Sequence, residues 1–133
     1  MGDAANLGSR LEGANKYFGS MMMVGERTRE LCGDRAIFRK IDKILVVNRE
    51  TPVQVFEPLG LPGDVDDNAL RLKQTYEAAL EVYRARNFER AAGLFGALSS
   101  EDPVSAVFET RCREYQAAPP PDDWDGSFVL AGK

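Results

Sequence analysis

The first clear pattern in the chain is one apolar stripe close to the start of the sequence. Its residues recur at i, i+4, i+7 and i+11, so one side of a helix is apolar and is expected to face a core. Asp3 is a residue type that caps helix N-termini, and Gly19 is typical of a helix end. The pattern predicts a helix over residues 4–16. The stripe consists of Leu7, Leu11, Ala14 and Phe18.

The pattern then changes to apolar and alternating runs. Residues 21–24 predict a short buried strand, and residues 26–32 suit a short helix. Residues 38–47 alternate in part between apolar and polar side chains, and residues 53–57 alternate throughout. With a turn at residues 48–51, the last two runs predict a β-hairpin.

Helical spacing returns in the second half of the chain. Apolar stripes run through residues 72–83, 88–98 and 104–115, which predicts three successive helices. Residues 86–87 break the first stripe from the second. Pro103 fits the first turn of the third helix, where its missing N–H has no intrahelical partner to lose.

Polar and proline-rich stretches divide the chain. Residues 58–68 are dominated by Gly, Pro and Asp, which is typical of a linker. Residues 1–57 contain nine Lys and Arg and eight Asp and Glu, so their charges nearly balance. Residues 58–133 contain eight Lys and Arg and thirteen Asp and Glu, so this part of the chain is acidic. Residues 119–121 are three prolines, a stiff extended segment, and Trp124 beyond them is expected to pack on the helices. The predicted divisions are an N-terminal part (1–57), a linker (58–70), a helical segment (71–116) and a tail (117–133).

Composition narrows the chemistry. The chain has 133 residues, of which 44% are hydrophobic and 29% charged, and this balance predicts an ordinary folded core. Histidine is absent, which excludes Ser-His-Asp and Cys-His catalysis and imidazole metal sites. Cys32 and Cys112 are too few for a disulfide framework and read as reduced thiols. The net charge of −4 gives no electrostatic case for nucleic acid, and no apolar run approaches the about 20 residues of a membrane span.

Residues 1–57 predict a helix with a core face but too few strands to cover it, so we expect part of a larger fold. Residues 2–13 read GDAANLGSRLEG and resemble the GDAVNLASRLEG signature of class III adenylate/guanylate cyclases. The match extends over about 57 residues, because landmarks after the signature agree with the family in order. These landmarks are residues 15–19, 26–28 and 38–42 and a closing strand at 52–57.

The resemblance implies an α+β fold with a partial nucleotide-cyclase (ferredoxin-like) domain. Such cyclases convert a nucleoside triphosphate, here expected to be ATP, into a 3′,5′-cyclic nucleotide and pyrophosphate. In the family, an asparagine and an arginine of the signature helix orient the ribose and stabilise the transition state. The matching catalytic positions are Asn6 and Arg10, whose i, i+4 spacing places an amide beside a guanidinium. Without the signature, both would read as ordinary surface residues of a helix.

Three further features follow from the resemblance. Two aspartates that hold Mg²⁺ or Mn²⁺ in the complete enzyme lie upstream of the signature in the family, so no metal ligand is expected in this chain and Asp3 is a helix cap. The family's triphosphate-binding lysine is replaced by Val47, and Arg49 is expected to contact the substrate from two residues along. Family domains pair head to tail and share their sites, which implies a homodimer.

Residues 83–95, with Pro103 beyond them, resemble one tetratricopeptide (TPR) repeat, with Phe88, Ala91 and Phe95 at landmark spacings. This resemblance completes the expected fold class with a C-terminal α-helical TPR-like appendage. One repeat does not make a solenoid. A structural helical cap and a peptide-binding groove are both open interpretations.

These observations predict the C-terminal portion of an adenylate or guanylate cyclase that acts in intracellular signal transduction. The portion alone is expected to be inactive because the metal-binding aspartates are missing. The alternative is a catalytically silent module for dimerisation or partner binding, which Val47 favours. The arrangement resembles the C-terminal end of bacterial cyclases with membrane helices upstream, so we expect a cytoplasmic location and a membrane anchor in the full-length protein.

Overall fold

The computed structural model describes residues 23–46 and 51–130. The chain divides into two compact units, a sheet unit of Met1–Val65 with Ser127–Lys133 and a helical unit of Asp66–Gly126. The described residues form a four-stranded sheet and four α-helices. This mixed composition is compatible with the predicted α+β class.

The sheet unit is built around a long antiparallel hairpin of strands β2 and β3. The strand order is β1-β3-β2-β4, in which β1 pairs antiparallel with β3 and β4 pairs parallel with β2. A 3-10 turn, Gly33–Arg35, leads from the helix of this unit into β2. The elements are β1 (Val24–Gly25), α1 (Glu26–Cys32), β2 (Ile37–Val46), β3 (Val53–Gly60) and β4 (Ser127–Leu130).

The hairpin is buried on both of its faces. Ile41 and Asp42 are neighbours in β2 and both are fully buried. Successive side chains of a strand point to opposite faces of a sheet, although a β-bulge at Ile41 disturbs the alternation here. Hydrophobic side chains of the hairpin and of Met23 form the core of this unit. The buried hydrophobic residues of the hairpin are Phe38, Ile41, Ile44, Val55 and Phe56.

The structure corrects the strand boundaries at three places. Strand β3 continues to Gly60, so residues 58–60 belong to the sheet and not to the predicted linker. The β2–β3 register shifts between Ile37 and Phe38, the residue paired with Pro58, and prolines within sheets are found at such irregular positions. Strand β1 covers Val24–Gly25, later than predicted, and residues 21 and 22 lie outside the described residues. Strand β4 falls in the predicted tail, where no strand was expected.

The helical unit contains the three helices that the apolar stripes predict: α2 (Asp67–Arg84), α3 (Phe88–Leu98) and α4 (Pro103–Ala117). Each begins after a capping side chain, because Asp66, Asn87 and Asp102 accept a hydrogen bond from the backbone N–H three residues along. Pro103 occupies the first turn of α4, as the sequence indicates.

Aromatic rings fill the centre of the helical unit. The Tyr76 ring centroid lies 5.4 Å from that of Phe95 and 5.8 Å from that of Phe108, in edge-to-face geometry. Ala91 and Ala92 are fully buried, and their small side chains allow α3 to approach its neighbours closely. Among the helices of the described ranges, none combines the length and the apolar character needed to cross a bilayer.

Candidate functional site

The three predicted site residues, Asn6, Arg10 and Arg49, lie outside the described residues, and so does the predicted cap Asp3. Arg49 belongs to the connection between β2 and β3, the two strands of the hairpin. The structure describes this hairpin up to the pairing of Ile44 with Val53. The candidate site is therefore built from the hairpin side chains that fix the strands on either side of that connection.

A buried ion pair joins the two strands in the middle of the hairpin. Arg39 of β2 lies opposite Glu57 of β3 in the ladder. The carboxylate oxygen Oε1 of Glu57 accepts hydrogen bonds from Nη2 of Arg39 at 2.7 Å and from Nε at 3.0 Å. Arg39 is almost fully buried, so Glu57 compensates a guanidinium that is largely removed from water.

A β-bulge lies closer to the connection. The register moves from Lys40 paired with Phe56 to Asp42 paired with Val55, so Ile41 is the extra residue. The amide Nε2 of Gln54 donates to the carbonyl oxygens of Asp42 at 2.9 Å and Val55 at 3.0 Å. A bulge increases the local twist of a strand pair, so Gln54 holds the direction in which the hairpin continues.

The backbone at the bulge receives a second side-chain contact. The Lys43 N–H donates to Oδ1 of Asp42 at 2.8 Å. The Asp42 carboxylate is fully buried and accepts this hydrogen bond, so the backbone N–H of Lys43 next to the bulge has a partner. Lys40 is exposed, whereas Lys43 is half-buried.

Helix α1 is attached to the hairpin through Arg29. The Arg29 guanidinium carbon lies 5.0 Å from the centroid of the Phe38 ring and 5.9 Å from that of Phe56. The two rings meet edge to face at 6.5 Å. A cation over aromatic faces is stabilised by their ring quadrupoles, so Arg29 orients the helix on the strands that flank the connection.

The described residues do not fit a metal centre. Within residues 23–46 and 51–130, no group of three or more His, Cys, Asp or Glu side chains could hold a metal ion.

The two cysteines differ in environment. Burial raises the pKa of the Cys112 thiol from its ordinary 9.0 to about 11, although Arg111 and Arg113 act in the opposite direction. A thiol with so high a pKa is a poor nucleophile at neutral pH. Cys32 is half-buried and not in a disulfide.

Sequence reasoning did not identify Arg39, Asp42, Gln54 or Glu57. The available signal was their position inside strands that were expected to pair, because a charged residue between buried neighbours needs a partner on the facing strand. Assigning Arg39 to Glu57 required the register, and the bulge at Ile41 changes that register within the same hairpin.

Comparison with known proteins gives two partial similarities. The chain is 24% identical over 121 residues to "Adenylate cyclase, terminal-differentiation specific" of Dictyostelium discoideum, an alignment that covers 84% of this chain. It is 33% identical over 61 residues, 46% of this chain, to "Adenylate cyclase 1" of Rhizobium meliloti. The aligned regions span only 6% and 9% of the lengths of these relatives. No protein-family model matches the chain, and no solved structure matches it significantly.

These similarities relate the chain to adenylate cyclases over part of their length. The Dictyostelium alignment covers too much of the chain to be confined to the sheet unit, so it necessarily includes part of the helical unit. The TPR-like description of that unit and the ferredoxin-like description of the sheet unit stay predictions.

Proposed function

We propose that this chain is the C-terminal portion of a nucleotide cyclase catalytic domain, followed by a TPR-like helical segment. The complete enzyme forms a 3′,5′-cyclic nucleotide and pyrophosphate from a nucleoside triphosphate, with ATP as the preferred substrate, in intracellular signal transduction. The observation that carries the proposal is the similarity to two adenylate cyclases. The GDAANLGSRLEG motif at residues 2–13 supports it independently of the alignment lengths.

Asn6 and Arg10 are the proposed catalytic residues. They are four residues apart in a predicted helix, a spacing that places the two side chains next to each other on its surface. The amide of Asn6 orients the ribose. The planar guanidinium of Arg10 stabilises the negative charge that develops as the 3′ oxygen attacks the α-phosphorus.

Arg49 is the proposed contact for the triphosphate. It lies in the connection of the β2–β3 hairpin, whose strands are fixed on either side by the Arg39–Glu57 pair and by Gln54. A long cationic side chain suits the recognition of phosphate oxygens. We place residues 1–60 in the cyclase part, because β3 ends at Gly60, and residues 67–117 in the helical segment that the three helices form.

The complete enzyme also has a metal cofactor and a second subunit. Mg²⁺ or Mn²⁺ is the cofactor of the complete enzyme, and its aspartate ligands belong to polypeptide outside this sequence. The chain alone is therefore inactive. A homodimer brings the signature helix of one subunit to the metal-binding half of its partner. The catalytic part is cytoplasmic, and the full-length protein has a membrane anchor.

A second candidate function is a catalytically silent module for dimerisation or partner binding. The observation that favours it is Val47, an apolar residue at the position where the cyclase resemblance implies a triphosphate-binding lysine. An aliphatic side chain donates no hydrogen bond and carries no charge, so it gives a phosphate nothing to bind.

Reading the gene upstream of the Met1 codon in the same frame tests the two functions. The enzyme predicts an open frame that encodes two aspartates in strand-like segments before the signature. Expressed with that region, the protein is expected to form cyclic nucleotide from ATP with Mn²⁺. The 133-residue chain is expected to form none under the same conditions.

The controls separate the candidates. Arg27 is exposed on α1, and Arg27→Ala in the longer protein is expected to keep full activity. An upstream frame without an aspartate pair, or a longer protein that folds and dimerises without turnover, would establish the silent module. Turnover by the 133-residue chain alone would contradict the proposed division of the site between two polypeptide halves.

A further inference from the structure

The tail that follows α4 packs on the helical unit through its tryptophan. The Trp124 ring centroid lies 5.3 Å from that of Tyr83, with the two rings perpendicular. It lies 5.6 Å from the centroid of Phe88 and 5.7 Å from that of Tyr115. Rings from all three helices therefore contact one indole.

Arg86 binds the tail at a second position. It lies in the turn between α2 and α3 and has a φ of 71°, a left-handed conformation that side-chain-bearing residues seldom adopt. Its Nη2 donates to the carbonyl oxygen of Pro120 at 2.8 Å, and its Nη1 donates to that of Pro121 at 2.9 Å. The same guanidinium lies 5.8 Å from the Trp124 ring centroid.

These contacts are suited to one class of peptide. A proline has no N–H, so its carbonyl is the only backbone group that can form a hydrogen bond. The planar guanidinium presents parallel donors, which match the carbonyls of two consecutive residues. The backbone N–H of Trp124 donates to the carbonyl oxygen of Pro121 at 3.0 Å. This turn directs the indole toward the aromatic rings.

We propose that Tyr83, Arg86, Phe88 and Tyr115 form a recognition site for a Pro-Pro-x-x-Trp peptide, and that the chain's own tail occupies this site. We name these four residues the tail site. The guanidinium of Arg86 donates hydrogen bonds to two consecutive proline carbonyls, and the aromatic rings pack against the tryptophan. The proposal is independent of the cyclase function, because every residue in it belongs to the helical unit.

The residues around the tryptophan also fix the course of the tail. Gly126, the last residue of this segment, is buried and has a φ of +90°. A Cβ there would meet the Arg84 side chain at 3.4 Å, so the backbone passes close to α2. Asp122 and Asp123, between the prolines and the tryptophan, are exposed. They give the peptide an acidic character without contributing to its packing.

A titration in trans tests the proposal. Trp124 is the sole tryptophan of the 133 residues, so the Trp124→Ala variant of this chain has no indole fluorescence. A synthetic peptide of residues 118–126, APPPDDWDG, is then the only source of the signal. With the peptide titrated to about 1 mM, the effective concentration of a short tether, we expect a saturable blue shift with the variant. No saturable shift is expected with the wild-type chain, whose site is filled.

Arg86→Ala in the Trp124→Ala background is expected to weaken peptide binding at least fivefold. Arg90→Ala in the same background is the matched control, because Arg90 is exposed on α3, and it is expected to leave binding unchanged. Titrations without saturation, equal binding by wild type and Trp124→Ala, or equal loss in both arginine variants would overturn the proposal.

A second measurement covers the case in which Trp124→Ala does not fold, as judged by far-UV circular dichroism. Acrylamide quenching of Trp124 fluorescence is compared among the wild type, Arg86→Ala and Arg90→Ala. The Stern–Volmer constant is expected to rise at least twofold in Arg86→Ala and to stay at the wild-type value in Arg90→Ala. An unchanged constant in Arg86→Ala would refute the role of Arg86 in holding the peptide.

Discussion

Arg39 and Glu57 face each other across the β2–β3 ladder, and their side chains are 3% and 20% exposed. The guanidinium is largely removed from water, and a charge in that position is costly without an ion-pair partner. Its two hydrogen bonds share one carboxylate oxygen of Glu57. The pair therefore selects the register of the hairpin, since a shifted register would bury the guanidinium without this acceptor.

Arg39→Met is expected to lower the free energy of unfolding by about 2 to 4 kcal/mol, because breaking a buried pair leaves an uncompensated charge. The partial exposure of Glu57 places the effect toward the lower end. Urea unfolding followed by circular dichroism measures it. Lys40→Met, at the next and exposed position, is the control. The double variant Arg39→Met/Glu57→Leu is expected to recover at least half of the loss, and no recovery would contradict the pairing argument.

Gln54→Leu is expected to lower the free energy of unfolding by about 1 to 2 kcal/mol, since it removes two hydrogen bonds that each contribute about 1 kcal/mol or less. Amide exchange should speed up at Asp42 and Lys43, next to the bulge, more than at Arg39. Hydrogen exchange measured by NMR resolves the three positions. Thr51→Ala, at an exposed residue outside the ladder, is the control. Uniform acceleration along β2 would show that Gln54 does not act on the bulge.

Within residues 23–46 and 51–130, the sequence predicted the helices better than the strands, for a physical reason. A helix such as α3 places its apolar residues on one face through local geometry alone, so the stripe ending at Leu98 reveals it. Strand β4 is only four residues long, and its formation depends on pairing with β2, which is distant in sequence. No local sequence pattern predicts such a strand. The same reasoning explains why the extension of β3 through Pro58 was missed.

The residues of the candidate site also differ in whether local sequence is enough to predict them. The signature motif predicts Asn6 and Arg10 as site residues from residue types and spacing, without any knowledge of tertiary contacts. The support around the hairpin depends on the register, and one inserted residue, Ile41, changes which side chains meet. A bulge of this kind has no reliable signature in a single sequence, so Gln54 and its two carbonyl partners could be found only in the structure.

Two aspartate caps of the helical unit are expected to differ in strength because they differ in burial. Asp66, before α2, is exposed and accepts a hydrogen bond from Ala69 N–H at 2.8 Å. Asp102, before α4, is buried and accepts from both the N–H and the hydroxyl of Ser105, at 3.2 and 2.6 Å. Asp66→Ala should lower the free energy of unfolding by about 0.5 to 1 kcal/mol and Asp102→Ala by about 2 kcal/mol.

Chemical denaturation of the two cap variants provides the comparison, with Asp66→Asn and Asp102→Asn as capping-competent controls. Asparagine caps a helix about as well as aspartate, so Asp66→Asn should be close to wild type. A larger effect of Asp66→Ala than of Asp102→Ala would contradict the role assigned to burial.

The Cys112 thiol is expected to make the chain less stable at high pH. Burial raises its pKa to about 11, whereas in the unfolded chain the thiol ionises near its ordinary value. Below pH 9 both states hold the proton and the thiol has no effect. Between pH 9 and 11 only the unfolded state loses the proton, so stability falls by up to about 2 to 3 kcal/mol.

Urea unfolding of the wild type and of Cys112→Ala across this pH range isolates the contribution of the thiol, because all other titrating groups are shared. The variant should be less stable overall, owing to the cavity, but its stability should fall less steeply above pH 9. Labelling with iodoacetamide at pH 8 should modify Cys32 well before Cys112. Parallel pH profiles for the two proteins would show that Cys112 ionises equally in both states.

The catalytic proposal predicts different kinetic effects for its three residues in the longer, active protein. Arg10→Ala and Asn6→Ala should each lower kcat by about 100-fold or more with little change in KM, because the interactions they make strengthen as charge develops in the transition state. Arg49→Ala should mainly raise KM, since a contact to the triphosphate exists before the reaction begins. Steady-state formation of cyclic nucleotide from ATP measures both constants, with Arg27→Ala as the exposed control. Equal and small effects of all four substitutions would place Asn6 and Arg10 among ordinary surface residues, whereas a selective loss of kcat at these two positions would establish the signature helix as the catalytic element.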